Sequence, residues 1–182
     1  PREARPIHYD VSITPYPKDA RFSAKVGIKL SLLSASRSIT LHATDLTFKK
    51  MRLLDAAGKA ISEDIKLTVD AEAQTATFTF PQRLKPGQYR LDLEYDGLIG
   101  TQAVGLFSLD YDSPQGQQRA LYTQFENSDA RRVIPSWDEP VHKATFTVEM
   151  IVPREHMAVS NMPVLSRTDI SDGLSLVKFA KT

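Results

Sequence analysis

Cysteine is absent from this 182-residue chain. Its absence excludes disulfides, a thiolate nucleophile and cysteine-ligated zinc. It does not choose a compartment, because a cysteine-free chain tolerates oxidising and reducing surroundings alike. Histidine is scarce, with only His8, His42, His142 and His156. No two of them stand four residues apart, as on a metal-binding helix, and no His-Glu-x-x-His occurs. The Glu-His of "REHMAV" falls inside a predicted strand, so His156, like the others, reads as a surface or strand-end residue. No apolar run approaches the ~18 residues that a bilayer-spanning helix needs. Neither sign of charge dominates: 23 basic residues face 22 acidic ones, for a net charge of +1. Without a basic stripe, nothing in the composition favours a nucleic-acid partner. Long helical periods, internal repeats and low-complexity tracts are also missing. No linker is long enough to divide the chain, so residues 1–182 read as one domain.

What is present is the balance of a globular protein, 41% hydrophobic and 25% charged. The length suffices for one sizeable core. Period-two alternation dominates. In "RFSAKVGIKLSLL", Phe22, Ala24, Val26, Ile28, Leu30 and Leu32 share one face, and Ser23, Lys25, Gly27, Lys29 and Ser31 the other. "TATFTF" aligns Ala76, Phe78 and Phe80. "RLDLEYDG" sets Leu91, Leu93 and Tyr95 opposite Arg90, Asp92 and Glu94. "FTVEMIVP" puts Phe146, Val148, Met150 and Val152 on one side. Shorter strands are expected at Tyr9–Thr14, Ser38–His42, Leu46–Leu54, Ile65–Val69, Val104–Leu109, Met157–Ser160 and Leu174–Phe179. "YPKDA", "DAAGK", "LKPGQ" and "SDG" separate them with turn chemistry. The prediction is an all-β fold of antiparallel sheets, a sandwich or saddle with at most short helical turns.

The alternation breaks at "YTQFENSDARRVIPSWDEP", Tyr122 to Pro140. Leu121, Thr123 and Phe125 alternate with Tyr122, Gln124 and Glu126. Asn127 or Ser128 is expected to cap a short helix with Asp129 in its first turn. Pro135 and Pro140 prevent a longer one. On a strand, residues two apart point the same way, ~7 Å from one another, which sets Gln124 beside Glu126. A carboxylate beside an amide can accept hydrogen bonds from a primary ammonium. By its spacing alone, such a pair reads first as a solvated sheet face. Arg131 and Arg132 either pair with Asp138 and Glu139 to fix a corner or bind phosphate or carboxylate. Trp137 either anchors the turn or offers a stacking face for carbohydrate.

"TQFENSDARRVIPSWDEPVHKATFTVEM" resembles the signature of the N-terminal β-domain of the M1 family of zinc aminopeptidases. Thr123, Gln124, Phe125, Glu126, Ala130, Arg131, Pro135, Trp137, Asp138, Glu139, Pro140, Lys143, Ala144 and Phe146 fall in register with the family pattern. "RPIHYDVSITP", "SITLHATDL", "LKPGQYRLDLEYDGLIG" and "MAVSNMPV" are similar to further family segments, so the likeness covers nearly the whole chain. Asn127, Ile134 and Ser136 stand where the family usually has Pro, Phe and Cys. The resemblance implies that Glu126 helps bind the substrate's α-amino group and that Gln124 lines the first side-chain pocket. It also implies a catalytic domain carrying zinc, which this chain would pack against while forming one wall of the cleft. The family's Gly-x-Met-Glu-Asn and His-Glu-x-x-His motifs do not occur here. The expectation is a domain that binds no zinc and hydrolyses nothing alone, and that stops short of its last strand. A catalytically inactive M1-like protein using this domain for protein–protein contact is the main alternative. An unrelated β-sandwich binding module is a second.

Overall fold

The computed structural model describes residues 3–182. Its strands are β1 (Ala4–Tyr16), β2 (Arg21–Leu32), β3 (Ser36–His42), β4 (Thr47–Asp55), β5 (Ala60–Ser62), β6 (Lys66–Asp70) and β7 (Thr75–Leu84). They continue with β8 (Gly87–Leu98), β9 (Gly105–Ser113), β10 (Gly116–Gln124), β11 (Thr145–Pro153), β12 (Val164–Asp169) and β13 (Leu174–Phe179). Helical structure among the described residues is confined to 3-10 turns at Pro17–Asp19, Ala130–Arg132 and Ser171–Gly173. The fold is all-β, as the alternation predicts.

The main sheet runs β12-β13-β11-β1-β2-β8-β4-β5, a second sheet runs β3-β7-β6, and β9 and β10 form a separate hairpin. The apolar faces read from the sequence are the faces that meet. Phe22, Ile28, Leu30, Leu91, Leu93 and Tyr95 of the main sheet are buried with Ile39, Leu41, Ala76, Phe78 and Phe80 of the second sheet. Phe48 of β4 meets Phe78 of β7 edge-on, centroids 5.3 Å apart and planes at 88°. Each such large side chain contributes ~1.5–3 kcal/mol by leaving water.

Four local expectations are corrected. The main sheet is not wholly antiparallel, because β1 and β11 pair in parallel from His8↔Thr145 to Ile13↔Met150. The strand expected at Tyr9–Thr14 starts at Ala4, where the pairing with β2 slips at Ile7. That bulge resets the parity, so Ala4 and Pro6 before it and Tyr9 and Val11 after it are all buried. Met157–Ser160 is not a strand. Ala158 and Met162 pack on a satellite cluster of Val152, Val177 and Phe179, but no neighbouring strand offers this stretch a ladder. The edge is taken instead by β12, which pairs with β13. His8 is buried mid-strand rather than at a surface or strand end, while His156 lies outside any strand.

On the face of the main sheet turned away from the core, one row crosses five strands. Thr147 of β11, Asp10 of β1, Gly27 of β2, Asp92 of β8 and Arg52 of β4 are successive register partners. Arg90 of β8 lies over Gly27 and joins Asp10 on one side to Asp92 on the other, its Nε donating to Asp92 at 2.6 Å. Thr147 donates to Asp10 at 2.6 Å and Arg52 approaches Asp92 at 3.3 Å. His8 stands beside the row, Nε2 2.9 Å from Asp10 and Nδ1 2.7 Å from Thr145. Burial pushes the Asp10 carboxyl up, but hydrogen bonds from Thr147, Arg90 and His8 outweigh it and bring the group down to about 2.

Candidate functional site

β9 and β10 pair along their whole length, from Gly116↔Ser113 to Gln124↔Gly105. One face of the hairpin carries Tyr111, Leu109, Phe107, Tyr122 and Gln124. Leu109, Tyr111 and Tyr122 are exposed, and Phe107 and Tyr122 lie 5.9 Å apart across the pair. Gln124 thus ends an apolar stripe.

The ladder stops at Gln124 because its partner Gly105 begins β9. Gly105 has φ +63, and a Cβ there would come within 2.9 Å of Arg132 Cβ, so this close approach needs glycine. Phe125 then turns inward to pack on the core, and its carbonyl accepts from Asp129 N–H at 2.9 Å. Glu126 therefore lies in a turn and not on the strand, which corrects the expected two-residue strand spacing. The Glu126–Asn127 peptide is cis. Gln124 and Glu126 are both exposed.

The stretch that follows is held far more firmly. Val133, Ile134 and Trp137 are buried in the main core. The 3-10 turn Ala130–Arg132 starts at Asp129 without a side-chain cap, so neither Asn127 nor Ser128 caps a helix as expected. Asp129 instead accepts from Arg132 Nε at 2.9 Å. Arg131 Nε donates to Asp138 Oδ2 at 2.9 Å, its Nη1 to Gln74 Oε1 at 3.1 Å and its Nη2 to the Asp138 carbonyl at 3.3 Å. The Arg131–Asp138 pair is only 12% and 13% exposed. Arg132 turns to Asp129 and Asp45, and Glu139 is exposed with neither arginine on it. Trp137 is enclosed, its Nε1 unbonded among the described residues, so it presents no stacking face.

Both sheets grip this corner. From the second sheet, His42 and Ser136 exchange two backbone hydrogen bonds, 2.8 and 3.1 Å, and Thr44 N–H donates to the Arg131 carbonyl. His42 Nδ1 accepts from Asp138 N–H at 3.2 Å. From the main sheet, Tyr95 Oη donates to the Val133 carbonyl at 2.8 Å and Tyr9 Oη accepts from Trp137 N–H. Burial pushes both tyrosine hydroxyls far above their ordinary range. Burial and the Arg131 guanidinium hold His42 below its ordinary value, against the pull of Glu139 and Asp138. A neutral imidazole is the form that can accept at Nδ1. Reading the residues alone assigns His42, Tyr9, Tyr95 and Gln74 no part in this corner. The one signal was His42 in "SITLHATDL", a segment read as a strand and as similar to a family segment, with no role attached to the histidine.

Chemically, the arrangement is an exposed carboxylate and amide at the rim of an apolar stripe, next to a corner locked by charge and packing. Among the described residues no group of three or more His, Cys, Asp or Glu could hold a metal ion, and no helix is long and apolar enough to cross a membrane.

Known proteins share this sequence pattern. The profile of the Peptidase M1 N-terminal domain matches residues 5–182. Aminopeptidase N of Acetobacter pasteurianus is 34% identical over 185 aligned residues, covering 100% of this chain and 50% of that protein. Puromycin-sensitive aminopeptidase of Caenorhabditis elegans is 30% identical, covering 95% of this chain and 18% of that protein. Aminopeptidase M1 of Arabidopsis thaliana is 29% identical, covering 100% and 21%. The chain therefore spans half the length of the first and about a fifth of the others. The extent of the profile match places the chain in the M1 peptidase family, as its N-terminal domain.

Proposed function

We propose that this domain forms one wall of the substrate cleft in a zinc aminopeptidase that removes N-terminal amino acids from peptides. Glu126 accepts hydrogen bonds from the substrate's α-ammonium, and Gln124 borders the pocket for the first side chain. The observation that carries this reading is a contrast within one short segment. Arg131, Arg132, Asp129 and Asp138 are used up in internal pairs, while the Glu126 carboxylate is exposed and outside them. An α-amino group has an ordinary pKa of ~7.7–8.0 and is largely cationic at neutral pH. An exposed carboxylate beside such a corner can accept charge-assisted hydrogen bonds from that group.

Zinc, which the family implies, finds no ligand set among the described residues. It would be held by a separate catalytic domain, where it supplies the activated water. The exposed stripe of Leu109, Tyr111 and Tyr122 suits the face that such a domain covers, since apolar side chains of this size favour burial. This chain's contribution is binding and orientation: it fixes the free amine and so restricts cleavage to the terminal residue.

The test is Glu126→Ala in the full-length enzyme, assayed on aminoacyl anilides. The variant should lose about 2–4 kcal/mol in kcat/KM, the range for removing one partner of a desolvated charge pair. Wild-type kinetics would overturn the assignment. The isolated domain should release no product from the same substrates.

A further inference from the structure

We infer that His42 is a positioning residue for Glu126, acting through the Asp138 backbone. The inference rests on the proposed amine-binding role of Glu126.

Three hydrogen bonds join His42 to the corner. Two are backbone bonds with Ser136, and the third is from Asp138 N–H to Nδ1 at 3.2 Å. The third is the only one a side chain supplies. It fixes the same residue whose carboxylate receives Arg131 Nε and, at 3.3 Å, Arg131 N–H. Asp138 is thus held from two directions, by Arg131 from within the corner and by His42 from the second sheet. Asp138 stands seven positions after Arg131, and the loop between them closes on itself through that pair. Glu126 lies just ahead of it, in the turn closed by the Phe125 carbonyl and Asp129 N–H. Arg131 follows Asp129 by two positions and its N–H reaches the Asp138 carboxylate, so the turn that carries Glu126 and the Asp138 end of the corner meet at Arg131. Releasing the Asp138 end loosens the frame from which Glu126 projects.

A imidazole is suited to this post. Its Nδ1 is a single acceptor in a rigid ring attached to a strand end, and its own backbone is already clamped to Ser136. The acceptor is therefore delivered at a fixed height above the bridge. An asparagine side chain places its Oδ1 close to where Nδ1 stands, and it also accepts. Alanine keeps both backbone bonds and removes only the side-chain acceptor.

His42→Ala and His42→Asn in the full-length enzyme separate these contributions. Two readouts are taken: amide hydrogen exchange of peptides spanning residues 124–138, and KM and kcat on aminoacyl anilides. In His42→Ala, exchange around Asp138 and KM should each rise about fivefold, the effect of losing one ordinary hydrogen bond, with kcat changing less. His42→Asn should restore both. Unchanged exchange in His42→Ala overturns the inference, as does faster exchange with an unchanged KM. If His42→Ala fails to fold, His42→Asn decides alone, and a raised KM in a folded His42→Asn protein overturns the inference. Glu126→Ala, run in parallel, keeps the two questions apart: wild-type kinetics there reject the amine-binding role itself, whatever His42 does to exchange.

Discussion

The Arg90 guanidinium lies over the bare backbone of Gly27, where a Cβ would sit 1.7 Å from Nη2. Gly27 is the central position of the row from Thr147 to Arg52, and the missing side chain leaves room for Arg90 to span from β1 to β8.

Gly27→Ala should therefore destabilise the domain. The obstructed atoms are the far end of a flexible side chain, so the backbone need not move. The cost is the loss of Arg90's bonds to Asp10 and Asp92, about 1–2 kcal/mol once partial exposure is allowed for. Urea denaturation measures it. Combining the change with Arg90→Met should give less than the sum of the two single losses, because both remove the same bridge.

Acid should weaken the same row. Asp10 is held at about 2, below its ordinary 3.8, by Thr147, Arg90 and His8 against the effect of burial. A depressed carboxylate contributes stability that is complete above the ordinary value and disappears as pH falls through the folded value. Stability should thus decline from roughly pH 4 towards pH 2. Asp10→Asn should flatten that part of the curve, as followed by circular dichroism at fixed low urea.

Arg131→Lys should not be tolerated as a conservative change. The guanidinium serves Asp138 Oδ2, the Asp138 carbonyl and Gln74 Oε1 from three different nitrogens, and an ammonium cannot reproduce that fork. Arg131→Ala leaves the Asp138 carboxylate largely buried without its cation, at about 3–5 kcal/mol. Thermal melting of both variants checks the order, with Ala below Lys and Lys below wild type.

Tyr95→Phe isolates one buried hydrogen bond. The ring stays in the core, but the Val133 carbonyl loses its 2.8 Å donor. A buried acceptor left unsatisfied costs about 1–3 kcal/mol. Denaturation should show that loss, and amide exchange should rise at residues 130–138 more than in β8 itself.

Much of this was legible from residue patterns. The buried faces of β2, β7 and β8 followed from period-two alternation because each strand has one wet side and one dry side. The start of β1 was not legible, since the bulge at Ile7 shifts the parity that the reading depends on. Met157–Ser160 reads as a short strand, but strand identity comes from a neighbour's hydrogen bonds, which no single segment encodes. At the site, Gln124, Glu126 and the residues of the corner stood out by sequence. The residues gripping the corner did not: Tyr9, His42, Gln74 and Tyr95 lie between 38 and 128 positions from their partners in the chain. Gln124 and Glu126 also differ more than their spacing implied, one closing a ladder and the other leaving it.

Among the described residues, the β9–β10 hairpin has no third strand. It meets the rest of the domain mainly at its root, through Gly100 and the buried Leu106. Its tip can open without breaking any ladder of the two larger sheets, whereas the corner opens only if their shared core does. Gln124 is the seam between these regimes. Amide protection should climb along β10 from Gly116 to Gln124, the end at which the hairpin runs into the corner.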